Sequence, residues 1–277
     1  MVNAAMFGPL LLSAQSTPEK TEDLATDRPG FTTPPPVVGL GSTQLESGLS
    51  FETSRSSATP EHSFLLGSPL VRFGIGHRIE LRLADDGFRW STSGIGTDQE
   101  KVKGWSDVSI GAKVGLLDQI GHLPAISLLP SVSVPSGSRA FTSGAYDPSL
   151  GIAWAEPLGR FSLDGTVTLA SISVASGSPP GFNDLKRSFK RSSATSLWSP
   201  AVLGIVGFVE IFVCDACGAG APSWIFDGGV TRGIGRRAQI DLEMSRGLSA
   251  TAPAWSVSAG YVFRYDLPRG RFRASAR

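Results

Sequence analysis

Two cysteines, three histidines and a long series of acids set among alternating apolar residues are the parts of this 277-residue chain that could do chemistry. Cys214-Asp215-Ala216-Cys217 has the spacing of a redox or metal half-site. A zinc site takes about four ligands, and the sequence offers neither a second cysteine pair nor a histidine pair. The expectation for Cys214 and Cys217 is therefore a loop disulfide or two idle thiols, with no metal and no cofactor. His62, His77 and His122 all fall in predicted connections, so none is placed to act as base for a serine nucleophile. No catalytic residue is expected, and no enzyme.

The acids say more through their neighbours. In a strand, successive side chains point to opposite faces. Over residues 255–265, Trp255, Val257, Ala259, Tyr261, Phe263 and Tyr265 share one face, while Ser256, Ser258, Gly260 and Arg264 share the other. The run is long enough for a tilted strand to cross a bilayer, which takes roughly 9 to 11 residues. The pattern recurs. Leu45, Leu49 and Phe51 alternate with Glu46 and Glu52; Ile79, Leu81 and Leu83 with Glu80 and Arg82; Val108, Ile110 and Val114 with Asp107 and Lys113. Phe161, Leu163 and Val167 face away from Asp164, and Ile240, Leu242 and Met244 away from Asp241 and Glu243.

Such recurrence predicts an all-β chain: an antiparallel transmembrane β-barrel of about 12 strands in an up-and-down meander, with the even strand number of bacterial outer-membrane barrels. The barrel is expected over residues 43–265. A transmembrane helix is tempting only over residues 197–214, where Pro200, Gly204, Gly207, Glu210 and several β-branched residues speak against it. Two strands joined near Val206-Gly207 are expected there instead. Because lipid penalises charge, Glu46, Glu80, Arg82, Asp107, Lys113, Asp164, Glu210, Asp227, Asp241, Glu243 and Arg264 are expected to face the lumen, together with Arg72. The six tryptophans are expected as girdles at the membrane edges.

Connections alternate in length. Short ones are expected at 76–78, 117–122, 157–160, 206–207 and 233–236, and long loops at 54–63, 91–103, 136–146, 174–192, 216–222 and 245–253. Short turns belong to the periplasmic end and long loops to the outer one. Residues 1–22 read as a signal-like stretch without a basic start, or as a disordered terminus. Residues 23–42 form a periplasmic, Pro-rich lead-in, and residues 266–277 a basic tail. A net charge of +1 argues against a nucleic-acid partner.

Thr26-Asp27-Arg28-Pro29-Gly30-Phe31-Thr32, followed by Gln44-Leu45-Glu46-Ser47-Gly48, resembles the opening of the outer-membrane barrel family named for the meta-cleavage pathway of phenol degradation. Arg72 to Arg82 and Gly104 to Lys113 are similar to that family as well, and the likeness extends over residues 23–265. The resemblance implies an outer-membrane protein for uptake of small, often hydrophobic compounds. Members usually end on the aromatic of the last strand, which serves in assembly, so the basic tail is a departure.

The expected function is a passive outer-membrane pore or transporter for small, hydrophobic or aromatic solutes; the alternative is a structural or surface-interaction barrel with a closed lumen. Its expected partners are outer-membrane lipid, a small-molecule solute and the barrel assembly machinery. Asp27 and Arg28 are expected to plug the lumen, Arg28 by pairing with Glu46 or Glu80, because a guanidinium fork fits a carboxylate. The excess of inward acids predicts a preference for cations.

Overall fold

The structure, a computed structural model, describes residues 24–56, 59–95, 98–176, 181–215 and 221–266. The signal-like stretch 1–22, Cys217 and residues 267–277 of the basic tail lie outside them.

Fourteen strand segments are described: β1 (Ser42–Ser56), β2 (Thr59–Gly74), β3 (Ile79–Asp85), β4 (Phe88–Ile95), β5 (Asp98–Trp105), β6 (Val108–Leu117), β7 (Ala125–Val134), β8 (Asp147–Leu158), β9 (Phe161–Ser176), β10 (Gly181–Trp198), β11 (Ile205–Asp215), β12 (Ser223–Ile234), β13 (Ala238–Gly247) and β14 (Trp255–Asp266). All pairings are antiparallel. β1 pairs with both β2 and β14, which closes the sheet on itself. Closure removes the unpaired edges that lipid cannot satisfy.

The count of fourteen resolves into twelve staves. β3 and β4 both lie against β2, and only Asp86-Gly87 separates them, so β4 continues β3. In the same way only Ser106-Asp107 separates β5 from β6, whose partners are β4 and β3. The break at Gly87 has a local cause: its φ is +90°, and a Cβ there would stand 2.5 Å from the Leu66 carbonyl oxygen. Asp85 Oδ1 accepts the Gly87 N–H and holds the kink.

Side chains divide by parity. Leu242 is 53% exposed and Met244 62%, while Asp241 between its apolar neighbours is 6% exposed. Leu81, Leu83, Ile110, Ile152, Val167, Leu169, Val209, Ile211 and Val230 also point outward and are exposed. A soluble monomer rarely shows a contiguous apolar patch beyond a few hundred Å², so an apolar belt around a closed ring requires lipid as its solvent. No described helix is long and apolar enough to cross a membrane; the crossing is made by strands.

The two ends differ. At the short-turn end, β10 and β11 are joined by residues 199–204, not at 206–207 as the sequence suggested. Pro200 has no N–H for the ladder, and Leu203 (φ 53°) and Gly204 (φ 76°) turn the chain, which leaves Val206 and Gly207 free to pair with Thr231 and Val230. At the other end, the expected loops 54–63, 91–103 and 174–192 are largely strand: β1 and β2 run on to Ser56 and Thr59, β4 and β5 form a hairpin, and β9 and β10 reach 16 and 18 residues. Polar Ser, Thr, Lys and Arg give these extensions no apolar face, but the backbone ladder does not need one. Connections remain irregular at 135–146 and 248–254, where Pro135 and Pro253 cannot donate to a ladder. Among described residues β5 pairs with β4 alone.

Candidate functional site

The lumen is crossed by the chain's own residues 24–41, whose bonds fall into three groups. The first is ionic. Arg72 on β2 lies 2.9 Å from Glu46, 2.8 Å from Glu80 and 3.1 Å from Asp27. Asp27 also meets Lys113 Nζ at 2.9 Å and pairs with Arg82, which bonds Glu80 at 2.9 Å. The Asp27 N–H donates to Glu46 Oε2 at 2.9 Å. Three acids therefore neutralise three bases. Without them the cluster would be unfavourable, because Arg72 and Arg82 stand directly opposite each other in the β2–β3 register. Burial alone raises the Asp27 carboxyl, but Arg72, Arg82 and Lys113 together overcome that and hold it well below the usual carboxylate range.

The second group faces β11 to β14. Arg28 does not pair with Glu46 or Glu80, which Arg72 already occupies; its Nη2 reaches Asp241 at 3.1 Å. The guanidinium rests over Gly48 and Gly260, register partners on β1 and β14, where a Cβ would come within 2.6 Å and 2.3 Å of it. Those two inward glycines are the seat for Arg28. They could have been noticed in the sequence as gaps in an otherwise polar inner face. Beyond Arg28, the Gly30 N–H donates to Glu243 at 3.2 Å, and the Phe31 and Thr32 N–H groups donate to Glu210 at 2.6 and 2.8 Å. The Phe31 ring stacks on Phe212 with centroids 4.1 Å apart.

The third group is neutral apart from one lysine. Thr33 and Thr166 exchange hydrogen bonds of 2.8 and 3.2 Å, Ser127 Oγ donates to the Pro35 carbonyl at 2.6 Å, and Lys113 Nζ donates to the Pro34 carbonyl at 2.8 Å. A proline run suits a buried strap, since it offers acceptors and no N–H left to satisfy.

Other sequence-expected positions lie elsewhere or apart. Asp107 is engaged at the β5–β6 break by the N–H groups of Ser136, Gly137 and Ser143, so it holds the 135–146 connection instead of lining an open lumen. Asp164 accepts from Ser162 at 2.5 Å, Asp227 is buried opposite Glu210, and Arg264 is buried near Asp266. Trp198 turns inward, stacks on Phe208 and donates to Ser196, so it is no girdle residue. Cys214, near the end of β11, is disulfide-bonded. Among described residues no group of acids, cysteines and histidines could hold a metal ion.

Two cavities flank the proline run along β6 to β9. One, of about 520 Å³, lies toward the short-turn end against Pro35, Val37, Leu117, Ala125, Ala155 and Phe161. The other, of about 230 Å³, lies toward the hairpin end against Arg82, Ser131, Ser149, Gly151, Thr166 and Thr168.

A family model described as "Putative MetA-pathway of phenol degradation" matches residues 26–265, a span that starts at the lumen-crossing segment and ends on the last strand. The chain belongs to this family. It shares its fold with solved structures of low identity. An outer membrane channel from Pseudomonas putida F1 superposes with a TM-score of 0.61 at 12% identity, over 83% of this chain and 97% of that one. The translocator domain of the autotransporter NalP from Neisseria meningitidis gives 0.55 at 14%, over 82% and 90%. The transport unit of the autotransporter AIDA-I from Escherichia coli gives 0.52 at 8%, over 81% and 89%. No curated protein matches significantly in sequence. The closed barrel and its apolar belt place this family member in the bacterial outer membrane. A channel and two autotransporter units share the ring, so what this chain does has to be read from its lumen.

Proposed function

We propose that the protein is a narrow, passive outer-membrane pore for small solutes, closed at rest by residues 24–41. The observation that carries this reading is the coexistence of a lumen-crossing segment with cavities on both sides of its proline run. A purely structural barrel has no need of such spaces. Asp27 and Arg28 act as the plug, each tied to a different part of the wall. Inward acids are largely matched by bases and by plug N–H groups, so the resting pore carries little free charge and selects weakly between cations and anions. Small uncharged solutes, aromatic ones among them, are the fitting cargo. Cys214 and Cys217 form the bond at the β11–β12 hairpin, away from the plug.

The test is conductance of the refolded barrel in a planar bilayer. Deleting residues 26–32 raises single-channel conductance several-fold above the parent. Equal conductance in both proteins would favour the closed, structural reading.

A further inference from the structure

The plug is not held equally on all sides. Toward β2, β3 and β6 it is sealed by the ion pairs of Asp27, toward β1 by the Asp27 N–H on Glu46, and toward β13 by Arg28 with Asp241. Toward β11 it is sealed by three hydrogen bonds to the Glu210 carboxylate. A solute passing there would have to separate buried charges. Toward β7, β8 and β9 the contacts are neutral, Ser127 with Pro35 and Thr166 with Thr33, and neutral hydrogen bonds exchange with water at small net cost. Most residues that line the cavities on that wall are small, Ser127, Ser131, Ser149, Gly151, Ala155 and Thr168 among them, with Leu129 and Phe161 the larger ones. Both cavities open on it, one on each side of residues 34–36.

We propose that solute crosses off the barrel axis, along the β7–β9 wall, and that the proline strap steps away from Ser127 and Thr166 to join the two cavities into one path. The wall offers hydroxyls, glycine and apolar surface. Among the charges that border it, Arg82 is engaged with Asp27 and Glu80, Lys113 with Asp27 and the Pro34 carbonyl, Arg78 with Asp118, and Asp164 with the Ser162 hydroxyl. The path therefore takes an uncharged molecule of about one ring in size, since pockets that enclose drug-sized ligands start at roughly 300 Å³ and the cavities bracket that value. This inference rests on the pore reading and names the route and class of solute within it.

The test adds bulk after folding. Ser149→Cys in the smaller cavity, Ala155→Cys in the larger and Ser256→Cys on the opposite wall are each refolded, then labelled with a bulky uncharged maleimide, with occupancy read by mass. Cys214 is disulfide-bonded and does not react. Proteoliposome swelling with the uncharged sugar arabinose is the readout. Label at Ser149→Cys or Ala155→Cys lowers the swelling rate about tenfold, and label at Ser256→Cys changes it less than about twofold, as expected for one constricted path. Full labelling at the first two positions without loss of swelling overturns the route, as does a block from the Ser256→Cys label alone. Failure of the first two to label in the folded barrel also overturns it, because a path must be reachable by solvent. If the unlabelled parent passes neither arabinose nor KCl while the 26–32 deletion is equally silent, the pore reading fails instead.

Discussion

The wall of β2, β3 and β6 and the wall of β7, β8 and β9 are neighbours in one ring, built by the same alternation of apolar and polar residues, yet they treat the lumen in opposite ways. The first presents Arg72, Glu80, Arg82 and Lys113, all drawn onto Asp27 and its surroundings. The second presents mainly Ser, Thr, Gly and Ala, with its acid Asp164 held by Ser162, and leaves cavities. Alternation decides which side chains face inward. Side-chain length and charge then decide whether the inward face grips the plug or gives it room.

The largest expected effect comes from removing the centre of the gripping wall. Asp27→Ala leaves Arg72, Arg82 and Lys113 sharing two carboxylates in place of three, and breaking a buried pair costs about 3–5 kcal/mol. Urea unfolding in lipid should show that loss; a change under about 1 kcal/mol would show that the two walls do not differ in grip. The sign of the pH dependence is fixed. A carboxyl held below its ordinary value stabilises the fold above about pH 3.9, and that stabilisation disappears only as pH falls further. The gap between parent and Asp27→Asn therefore stays constant from pH 7 to pH 5 and closes only in stronger acid.

Next in size is Leu242→Arg, which puts charge on the lipid face at about 2–4 kcal/mol near the midplane. Asp241→Asn, one residue away, keeps the barrel folded and loosens only Arg28. Heat-modifiable gel mobility separates the two outcomes. Equal folding of both variants would contradict the lipid-facing assignment of β13.

Gly260→Ala has a smaller effect, because the methyl group pushes on the flexible end of Arg28 and not on backbone. It should raise open-channel noise at an unchanged unfolding midpoint. The smallest expected effect is on the open wall: Ser131→Ala removes a 2.6 Å bond to Ser149 and costs no more than about 1 kcal/mol. A larger loss there would mean that the wall of β7 to β9 is also under tension from the plug.

Much of this was legible in the residues. Leu242 and Asp241 are neighbours with opposite solvents, and period-two alternation is enough to say so. Twelve staves followed from counting such runs. The extensions of β1, β2, β4, β5, β9 and β10 were not legible, because Ser, Thr and Lys outside the membrane show no contrast between faces, and a backbone ladder leaves no mark in composition. The partner of Arg28 was not legible either. Glu46 and Glu80 are near it in sequence terms, but Arg72 and Arg82 on the adjoining strands take them first, a competition that only the register reveals. The Pro34–Pro36 run was visible as a lead-in, while its use as a strap of acceptors for Lys113 and Ser127 needed the fold.

Among the described residues one flank of β5 has no partner strand, and this bears on how these molecules meet one another. Strand edges recruit strands, and crowded barrels with bare hairpins standing above the membrane could zip into continuous sheets. Here the flank carries Asp98, Glu100, Lys101 and Lys103 in six residues, and a second strand must strip the water from these charges before any ladder forms. Hydration of the β5 flank thus works against edge-to-edge pairing of one hairpin with another.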